Sequence, residues 1–361
     1  MMPLLKRISV KENGAVYNCY LISGEKTALI DTVPAGCAYE MTARLKEWLG
    51  GKELDYIILN HTECDRSGAL AAVTDEFPDV EIIATIAGLK NIAEQLNREF
   101  KQTVAKSGAE LKLGENLTLR FIITHNINWP DSMMTFLCEE KTIFSCDAFS
   151  DEGKGRKAYY DKNLSYLGEY VLRAAEQLKE LDINRILPGS GEEINTTEEA
   201  VNEYIAWSGR EKCKGISVVY ESVSGNTQKA AERACELIKK LGFDVRLINA
   251  AECGRESVLE NIYSSDGVIF GSPTVCRNIP QRLLNVIVGM NHYRTGKIRF
   301  AAFGSYGWSG EAPNLIYSYL RARHFQTFGA PYRFLFSPSD SEIESFDKYI
   351  SDFCEQLKAE L

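Results

Sequence analysis

One segment of the chain combines the residue types that bind a phosphate group through neutral donors. It follows a strand-like run, opens a helical pattern and consists of Ser222, Val223, Ser224, Gly225, Asn226 and Thr227. Hydroxyls and exposed backbone N–H groups at a helix N-terminus favour an anion. The segment contains no Lys or Arg and matches neither G-x-x-x-x-G-K-[ST] nor G-x-G-x-x-G. A phosphate monoester therefore fits better than a magnesium nucleotide or a dinucleotide. The alternative is a turn that merely caps a helix.

Two further loops in the same half of the chain follow predicted strands. The first contains Pro273, Thr274, Val275, Cys276 and Asn278. The second contains Ser305, Tyr306, Gly307, Trp308, Ser309 and Gly310. Loops at the carboxyl ends of parallel strands form the ligand-binding edge of an open α/β sheet. The glycines beside Tyr306 and Trp308 would let aromatic rings and backbone N–H groups approach a planar heterocycle, although simple surface aromatics are the alternative.

The elements that must position these loops alternate as strand, loop and helix after residue 212. The pattern predicts strands at 216–220, 267–270 and 298–303, and an amphipathic helix at 225–241. A last helix is predicted from about Ser341, with Ser341 and Glu344 spaced as a capping box. This alternation predicts an open parallel sheet with helices on both faces.

The first half of the chain has a different pattern. Strand-like runs occur within 17–30, 54–59, 82–85, 117–124 and 141–145, and helical patterns at 39–49, 89–100 and 164–181. The length of 361 residues suggests two domains. The polar stretch at 208–212 predicts a domain of residues 1–210 and a second of residues 214–361.

Composition excludes several classes of protein. The net charge of −9 argues against a nucleic-acid partner, because phosphate neutralisation requires a basic face. The sequence contains no run of 18 apolar residues, so it predicts no membrane helix. Residues 1–13 lack the apolar core of a signal peptide. The ten cysteines include no C-x-x-C pair, which indicates reduced thiols in a cytoplasm and excludes a rubredoxin-type iron site.

The three loops of the second half resemble those of flavodoxins, and specifically the flavodoxin module of flavodiiron proteins (A-type flavoproteins), from residue 215 to the C-terminus. Segments of the first half resemble the metallo-β-lactamase-like module of the same family. They lie at 17–33, 60–65, 129–133 and 144–149. The resemblance implies an α/β fold with an N-terminal metallo-β-lactamase-like αββα sandwich, followed by a flavodoxin-like doubly wound parallel sheet.

The resemblance also implies cofactors. FMN would bind with its phosphate at 222–227 and its isoalloxazine between the other two loops, with Trp308 stacking on the ring. The family binds two irons, and its ligand positions retain His61, Glu63, Asp65 and the bridging Asp147. Arg66, Asn128 and Ser190 stand where three histidines are expected. Because a guanidinium cannot ligate a metal, we expect Arg66 to pair with Asp65 or Asp147 and the site to be lost or mostly metal-free.

Three alternatives concern this predicted metal site. One cation could remain on His61, Glu63 and Asp147, His125 could replace a missing ligand, or the two-iron centre could be intact. Cys64 and Cys146 flank the retained carboxylates and are expected to pack into the core, because neighbours in extended chain point to opposite faces. Packing is likewise expected for Cys276 in the flavin loop, with a weak S–H contact to the ring as the alternative.

The resemblance implies an oxidoreductase role. The expected function is an FMN electron-transfer protein without a competent diiron site. One alternative is an oxygen or nitric oxide reductase with an altered mono- or dinuclear metal site. The other is a non-enzymatic dimerisation scaffold. The family further implies a head-to-tail homodimer, an external electron-donor protein and no membrane or nucleic-acid partner.

Overall fold

The structure is a computed structural model that describes residues 4–209, 215–295 and 298–360. It divides into two units, Met1–Gly209 and Arg210–Leu361. Residues 210–212 of the predicted boundary stretch, and Cys213, lie outside the described residues. The domain limits therefore remain a prediction.

The first sheet of the first unit has its strands in chain order. They are β1 (Leu4–Glu12), β2 (Ala15–Ser23), β3 (Thr27–Ile30), β4 (Tyr56–Ile58), β5 (Glu81–Ala84) and β6 (Lys101–Val104). β1 to β3 pair antiparallel, and β3 to β6 pair parallel. The central strands β3 and β4 are short and fully buried, as expected where both faces of a sheet are covered, whereas the edge strand β6 is exposed.

The second sheet of this unit has the order β11-β10-β9-β8-β7. Its strands are β7 (Glu110–Gly114), β8 (Leu117–Ile123), β9 (Met133–Leu137), β10 (Thr142–Cys146) and β11 (Arg185–Pro188). β10 and β11 are parallel, while the other neighbours are antiparallel. A shared apolar core joins the inner faces of the two sheets, with residues such as Ile58 from the first and Phe121 from the second.

Helices cover the outer faces of both sheets. They are α1 (Ala38–Leu49), α2 (Cys64–Ser67), α3 (Leu70–Glu76), α4 (Ile86–Leu96), α5 (Arg156–Tyr159), α6 (Gly168–Lys179) and α7 (Thr197–Ser208). Ile57 packs into the core under α1, α3 and α4, and Ile143 into the core under α6 and α7. Short helical turns lie at Ala35–Cys37, Tyr160–Leu164 and Ser165–Leu167. The predicted αββα sandwich is therefore confirmed.

The second unit is a parallel sheet of order β13-β12-β14-β15-β16, in which β17 also pairs with β15. Its strands are β12 (Gly215–Tyr220), β13 (Asp244–Asn249), β14 (Gly267–Gly271), β15 (Arg299–Tyr306), β16 (Gln326–Thr327) and β17 (Tyr332–Leu335). Its helices are α8 (Asn226–Lys240), α9 (Arg255–Tyr263), α10 (Gln281–Gly289), α11 (Ala312–Ala322) and α12 (Asp340–Glu360), with a short turn at His292–Arg294. Two apolar cores, one on each face, confirm the doubly wound sheet.

Two predicted helix ends are wrong. α4 ends at Leu96, with Asn97 in the left-handed conformation (φ +48°), and the residues predicted to extend the helix lead into β6 instead. α12 is capped by Ser339 rather than Ser341. The Ser339 amide donates to Glu342 Oε2 at 2.8 Å, and the Glu342 amide lies 3.4 Å from Ser339 Oγ. The spacing of the box is as predicted, but its position is two residues earlier.

Among the residues that the structure describes, no helix has the length and apolar character required to cross a membrane.

Candidate functional site

Three chain segments converge at one edge of the first unit. His61 lies three residues beyond β4, and Arg66 lies in the short helix α2 that follows. Asp147 directly follows β10, and Gly189 directly follows β11. Because β4 belongs to one sheet and β10 and β11 to the other, the sandwich brings these side chains together from distant parts of the sequence.

Asp147 is the centre of this cluster and is saturated by N–H donors. Its Oδ1 accepts from Arg66 Nη2 at 2.8 Å and from Arg66 Nε at 3.2 Å. Its Oδ2 accepts from Asn128 Nδ2 at 2.6 Å and lies 2.8 Å from His61 Nε2. Burial would raise the pKa of Asp147, but the hydrogen bonds from His61 and Asn128 and the charge of Arg66 outweigh it and hold that pKa well below its usual range. Asp147 is therefore a buried carboxylate that four hydrogen bonds hold ionised.

The His61 ring has both nitrogens engaged. Nε2 faces Asp147, and Nδ1 accepts the Glu63 amide at 3.1 Å, which describes a neutral ring with its proton on Nε2. Burial lowers the pKa of His61. The negative charge of Asp147 outweighs burial and raises that pKa to about 9, which favours a protonated ring. A second proton would break the bond from the Glu63 amide. The two contacts of the ring therefore fit the neutral form, and Nε2 donates to Asp147 in either protonation state.

Arg66 is the largest fully buried side chain of the cluster, with 2% of its surface exposed. Its Nη1 donates to the Gly189 carbonyl at 2.5 Å, and its Nε lies 3.5 Å from Asp65 Oδ2. Its Cζ lies 5.4 Å from the centre of the Tyr17 ring. A buried guanidinium is costly unless it is paired and hydrogen-bonded. Here two carboxylates, a carbonyl and an aromatic face meet that requirement.

Glu63 and Asp65 lie at the more open side of the cluster. Their carboxylate oxygens and a ring nitrogen of His61 lie within 4.8 Å of one another, a spacing that could hold one cation. Asp65 Oδ1 is buried and has no hydrogen-bond partner among the described residues. Burial and the neighbouring Asp147 raise the pKa of Asp65, and burial together with Asp65 raises that of Glu63. Among the described residues, the carboxylates of Glu63 and Asp65 therefore have fewer hydrogen-bond donors around them than that of Asp147.

The donor set does not fit a pair of iron ions. A permanent guanidinium, which repels cations and cannot ligate, lies within hydrogen-bond distance of Asp147. Both oxygens of that carboxylate are already used. Ser190 Oγ donates to the Asp151 carbonyl at 3.3 Å, and His125 is exposed with Nδ1 3.2 Å from the Pro130 carbonyl. Neither residue supplies the missing imidazole.

The packing expected for Cys64 and Cys276 is wrong, whereas the burial expected for Cys146 is confirmed. Cys64 and Cys276 are exposed rather than packed. Cys146 is buried, but its Sγ lies within 4.8 Å of ligand atoms of His61 and Asp147. The alternation argument fails because Cys146 has φ +52° and so leaves the extended conformation at the end of β10. A bulge between Phe144 and Cys146 is the structural origin of this departure, and no sequence signal predicted it.

In the second unit, the predicted phosphate segment lies between β12 and α8. Gly225 has φ +81°, and a Cβ there would meet no heavy atom within 4 Å. Ser222 Oγ accepts the amides of Gly225 at 3.1 Å and Gln228 at 3.4 Å, so its own proton is free to donate. The amides of Asn226 and Thr227 open α8 and have no acceptor within the helix. These groups fit a phosphate anion.

The second loop contains a tight turn. Val275 and Asn278 exchange backbone hydrogen bonds of 3.0 and 2.8 Å. The two residues between them, Cys276 and Arg277, are both left-handed, with φ +49° and +59°. These are the features of a type I′ turn, formed here without glycine. The Thr274 amide fixes the base of the loop by donating to the Ser305 carbonyl at 3.1 Å.

The third loop exposes an aromatic side chain. Trp308 is 92% exposed, and the neighbouring Phe336 is 60% exposed. Gly307 packs against Phe336, and Gly310 against the Tyr306 ring, where an added Cβ would lie 2.8 Å from the nearest ring atom in each case. The loop therefore combines close backbone packing with a free indole. The three predicted loops all follow strands of one parallel sheet and lie at its carboxyl edge, which fits the planar ring and phosphate of FMN.

Comparison with known proteins agrees with both units. Residues 16–191 match the family model described as ODP family beta lactamase, and residues 218–348 match that of flavodoxin. The flavo-diiron protein FprA2 of Clostridium acetobutylicum is 29% identical over 96% of this chain and 93% of its own length. The uncharacterized protein MJ0732 of Methanocaldococcus jannaschii is 30% identical over 82% of this chain and 79% of its own. Rubredoxin oxygen:oxidoreductase of Desulfovibrio gigas superposes with a TM-score of 0.63 at 25% identity, covering 96% and 92% of the two chains.

Proposed function

The chain belongs to the flavodiiron protein family, and we propose that it transfers electrons through FMN while an ion-paired cluster replaces the diiron centre in its first unit. The flavodoxin-like unit makes it an FMN-binding oxidoreductase. The replacement of the metal centre is the new element of the proposal, and the saturation of Asp147 by Arg66, Asn128 and His61 carries it.

FMN supplies the one- and two-electron chemistry when it is bound. Ser222 and the first-turn amides of α8 would hold its phosphate, because they offer free donors at a helix N-terminus, while the left-handed Gly225 shapes the loop. Trp308 would stack on the ring. The residues of the second loop, from Pro273 to Asn278, would line its other side.

The charge arrangement of the first unit supports a cluster that needs no metal. Asp147 is neutralised by Arg66, whose guanidinium stays charged at every physiological pH. The Nε of the same guanidinium lies 3.5 Å from Asp65 Oδ2 and so offsets part of the negative charge of this second carboxylate. Arg66 thereby joins the segments that follow β4, β10 and β11, as a bound ion would. Electrons from the flavin would then pass to an acceptor outside this cluster.

A second candidate function is reduction of oxygen or nitric oxide at an altered metal site. The approach of His61, Glu63 and Asp65 within 4.8 Å favours it, because it leaves room for one cation on the open side of the cluster. The unpartnered Asp65 Oδ1 is the atom that such a cation would use. This candidate requires that the cation tolerate Arg66 as its neighbour.

The family context supports further proposals about partners and location. We propose a head-to-tail homodimer that receives electrons from an external donor protein. The described cysteines are all free, which supports a reducing compartment such as the cytoplasm. The formal net charge of −9 gives no support to a nucleic-acid partner.

A variant that restores the missing imidazoles separates the two candidates. We expect R66H/N128H/S190H to gain iron when it is purified beside the wild type, because it removes the guanidinium and supplies three ligands. The control R66K/N128H/S190H keeps a cation at position 66 and should stay metal-poor. Oxygen and nitric oxide consumption under a chemical reductant should be low in the wild type. Rapid consumption by the wild type would instead establish the second candidate.

A further inference from the structure

Ser305 is hydrogen-bonded to both of the other loops at the proposed flavin edge. Its Oγ lies 2.8 Å from Thr227 Oγ1, at the start of α8. Its carbonyl accepts the Thr274 amide at 3.1 Å, at the base of the second loop. Ser305 is 7% exposed and Thr227 is 1% exposed, so water does not compete strongly for this hydroxyl pair. One residue thus connects the phosphate segment, the second loop and the third loop.

The hydrogen bond between the Thr227 and Ser305 hydroxyls can run in either direction. Each hydroxyl can donate one proton and can also accept, so either Thr227 or Ser305 is the donor in the pair. An anion at the start of α8 settles the choice, because a phosphate oxygen accepts and does not donate. The favoured order has Ser305 donating to Thr227 and Thr227 donating to the anion. Each bond in such a chain polarises and strengthens the next.

We propose that Ser305 is a positioning residue for the FMN phosphate, acting through the Thr227 hydroxyl and linking phosphate binding to the loop that carries Trp308. This inference rests on the proposed function, in which the start of α8 holds the phosphate. It assigns to Ser305 a role different from direct contact with the ring. The role depends on the phosphate, so it has a signature that general packing does not share.

The test compares FMN with riboflavin, which lacks the phosphate. Flavin fluorescence quenching gives the Kd of the apoprotein for each ligand. In S305A we expect FMN binding to weaken about 10-fold, since the buried hydrogen bond that orients and polarises the Thr227 hydroxyl toward the phosphate is lost, while riboflavin binding is unchanged. S305T should restore the wild-type ratio of the two Kd values. The double variant S305A/T227V should be no worse than T227V alone, because both changes interrupt one chain.

The matched control is another buried hydroxyl pair in the same unit. Ser217 Oγ and Ser265 Oγ also lie 2.8 Å apart and are buried, but neither residue belongs to a flavin loop. S265A should leave the ratio of the FMN and riboflavin Kd values unchanged, even if it lowers stability.

The outcomes are distinguishable. Equal weakening of FMN and riboflavin by S305A would overturn the inference in favour of a purely structural role, and so would an unchanged Kd for both. Additive effects of S305A and T227V would also overturn it. If the wild-type apoprotein binds neither flavin, the proposed function itself fails, and the inference fails with it.

Discussion

The Arg66 guanidinium occupies the space that a side chain at position 189 would need. A Cβ on Gly189 would lie 2.7 Å from Arg66 Cζ and 2.8 Å from its Nη2. The same guanidinium donates to the Gly189 carbonyl and to Asp147, so it cannot move aside without losing these bonds. Arg66 and Gly189 therefore depend on each other, and the cluster depends on both.

G189A is expected to destabilise the first unit by about 1–3 kcal/mol, the usual cost of overpacking a well-filled site. The added methyl group would push the guanidinium away from Asp147. Urea unfolding followed by hydrogen exchange in peptides of the first unit measures the effect. G114A is the matched control, since the nearest atom to a Cβ there lies at an ordinary 3.5 Å. Equal stability of G189A and G114A would show that the guanidinium has room to move.

Removing the charge of Arg66 should have a larger effect. We expect R66M to lose about 3–5 kcal/mol, because it leaves the buried Asp147 carboxylate without its permanent counter-charge. R66K should lie between R66M and the wild type, since a lysine keeps the charge but not the planar fork that reaches Asp147 and Gly189 together.

The chelator response of these proteins tests the same point independently. Wild-type stability should be unchanged by EDTA, because the cluster uses no metal. A fall in the melting temperature of the wild type on chelation, or stabilisation of R66M without added metal, would contradict the role given to Arg66.

W308A is expected to weaken FMN binding about tenfold, in line with about 1.5 kcal/mol for a favourable aromatic pair. W308F should bind nearly as well as the wild type, because a phenyl ring can also stack. Y293F, at an exposed tyrosine of the second unit outside the three loops, is the control. Unchanged affinity in W308A would remove Trp308 from the flavin site.

Thiol alkylation at pH 8 should divide the cysteines by burial. Burial raises the pKa values of Cys235 and Cys354 to about 11, so little thiolate is present at pH 8 and both should be unreactive. Cys64, Cys253 and Cys276 are exposed and should be labelled. FMN should protect Cys276 but not Cys253, which lies outside the flavin loops. Mass spectrometry of peptides measures the labelling of each cysteine. Equal labelling of Cys276 with and without FMN would argue against a second loop that lies beside the flavin.

Much of the fold could be predicted from the sequence, because periodicity and loop chemistry are local. The βα alternation after residue 212 predicted the doubly wound sheet, and the hydroxyl-rich segment at 222–227 proved to open α8. The Arg66–Asp147 pair was expected in outline, since a guanidinium beside carboxylates must pair with one of them. Contacts between distant segments of the chain could not be predicted from the sequence. The Gly189 contact and the Thr227–Ser305 bond depend on segments far apart in the chain. The approach of the Cys146 thiol to His61 and Asp147 depends on a bulge that no sequence pattern predicts.

The metal content of wild-type protein purified anaerobically from iron-rich cells, measured beside its flavin absorbance, tests most directly whether the cluster around Arg66 is free of metal. We expect bound FMN to be accompanied by negligible iron. Two tightly bound irons for each FMN would contradict it, because they would show that the carboxylates around Arg66 hold a dinuclear centre after all.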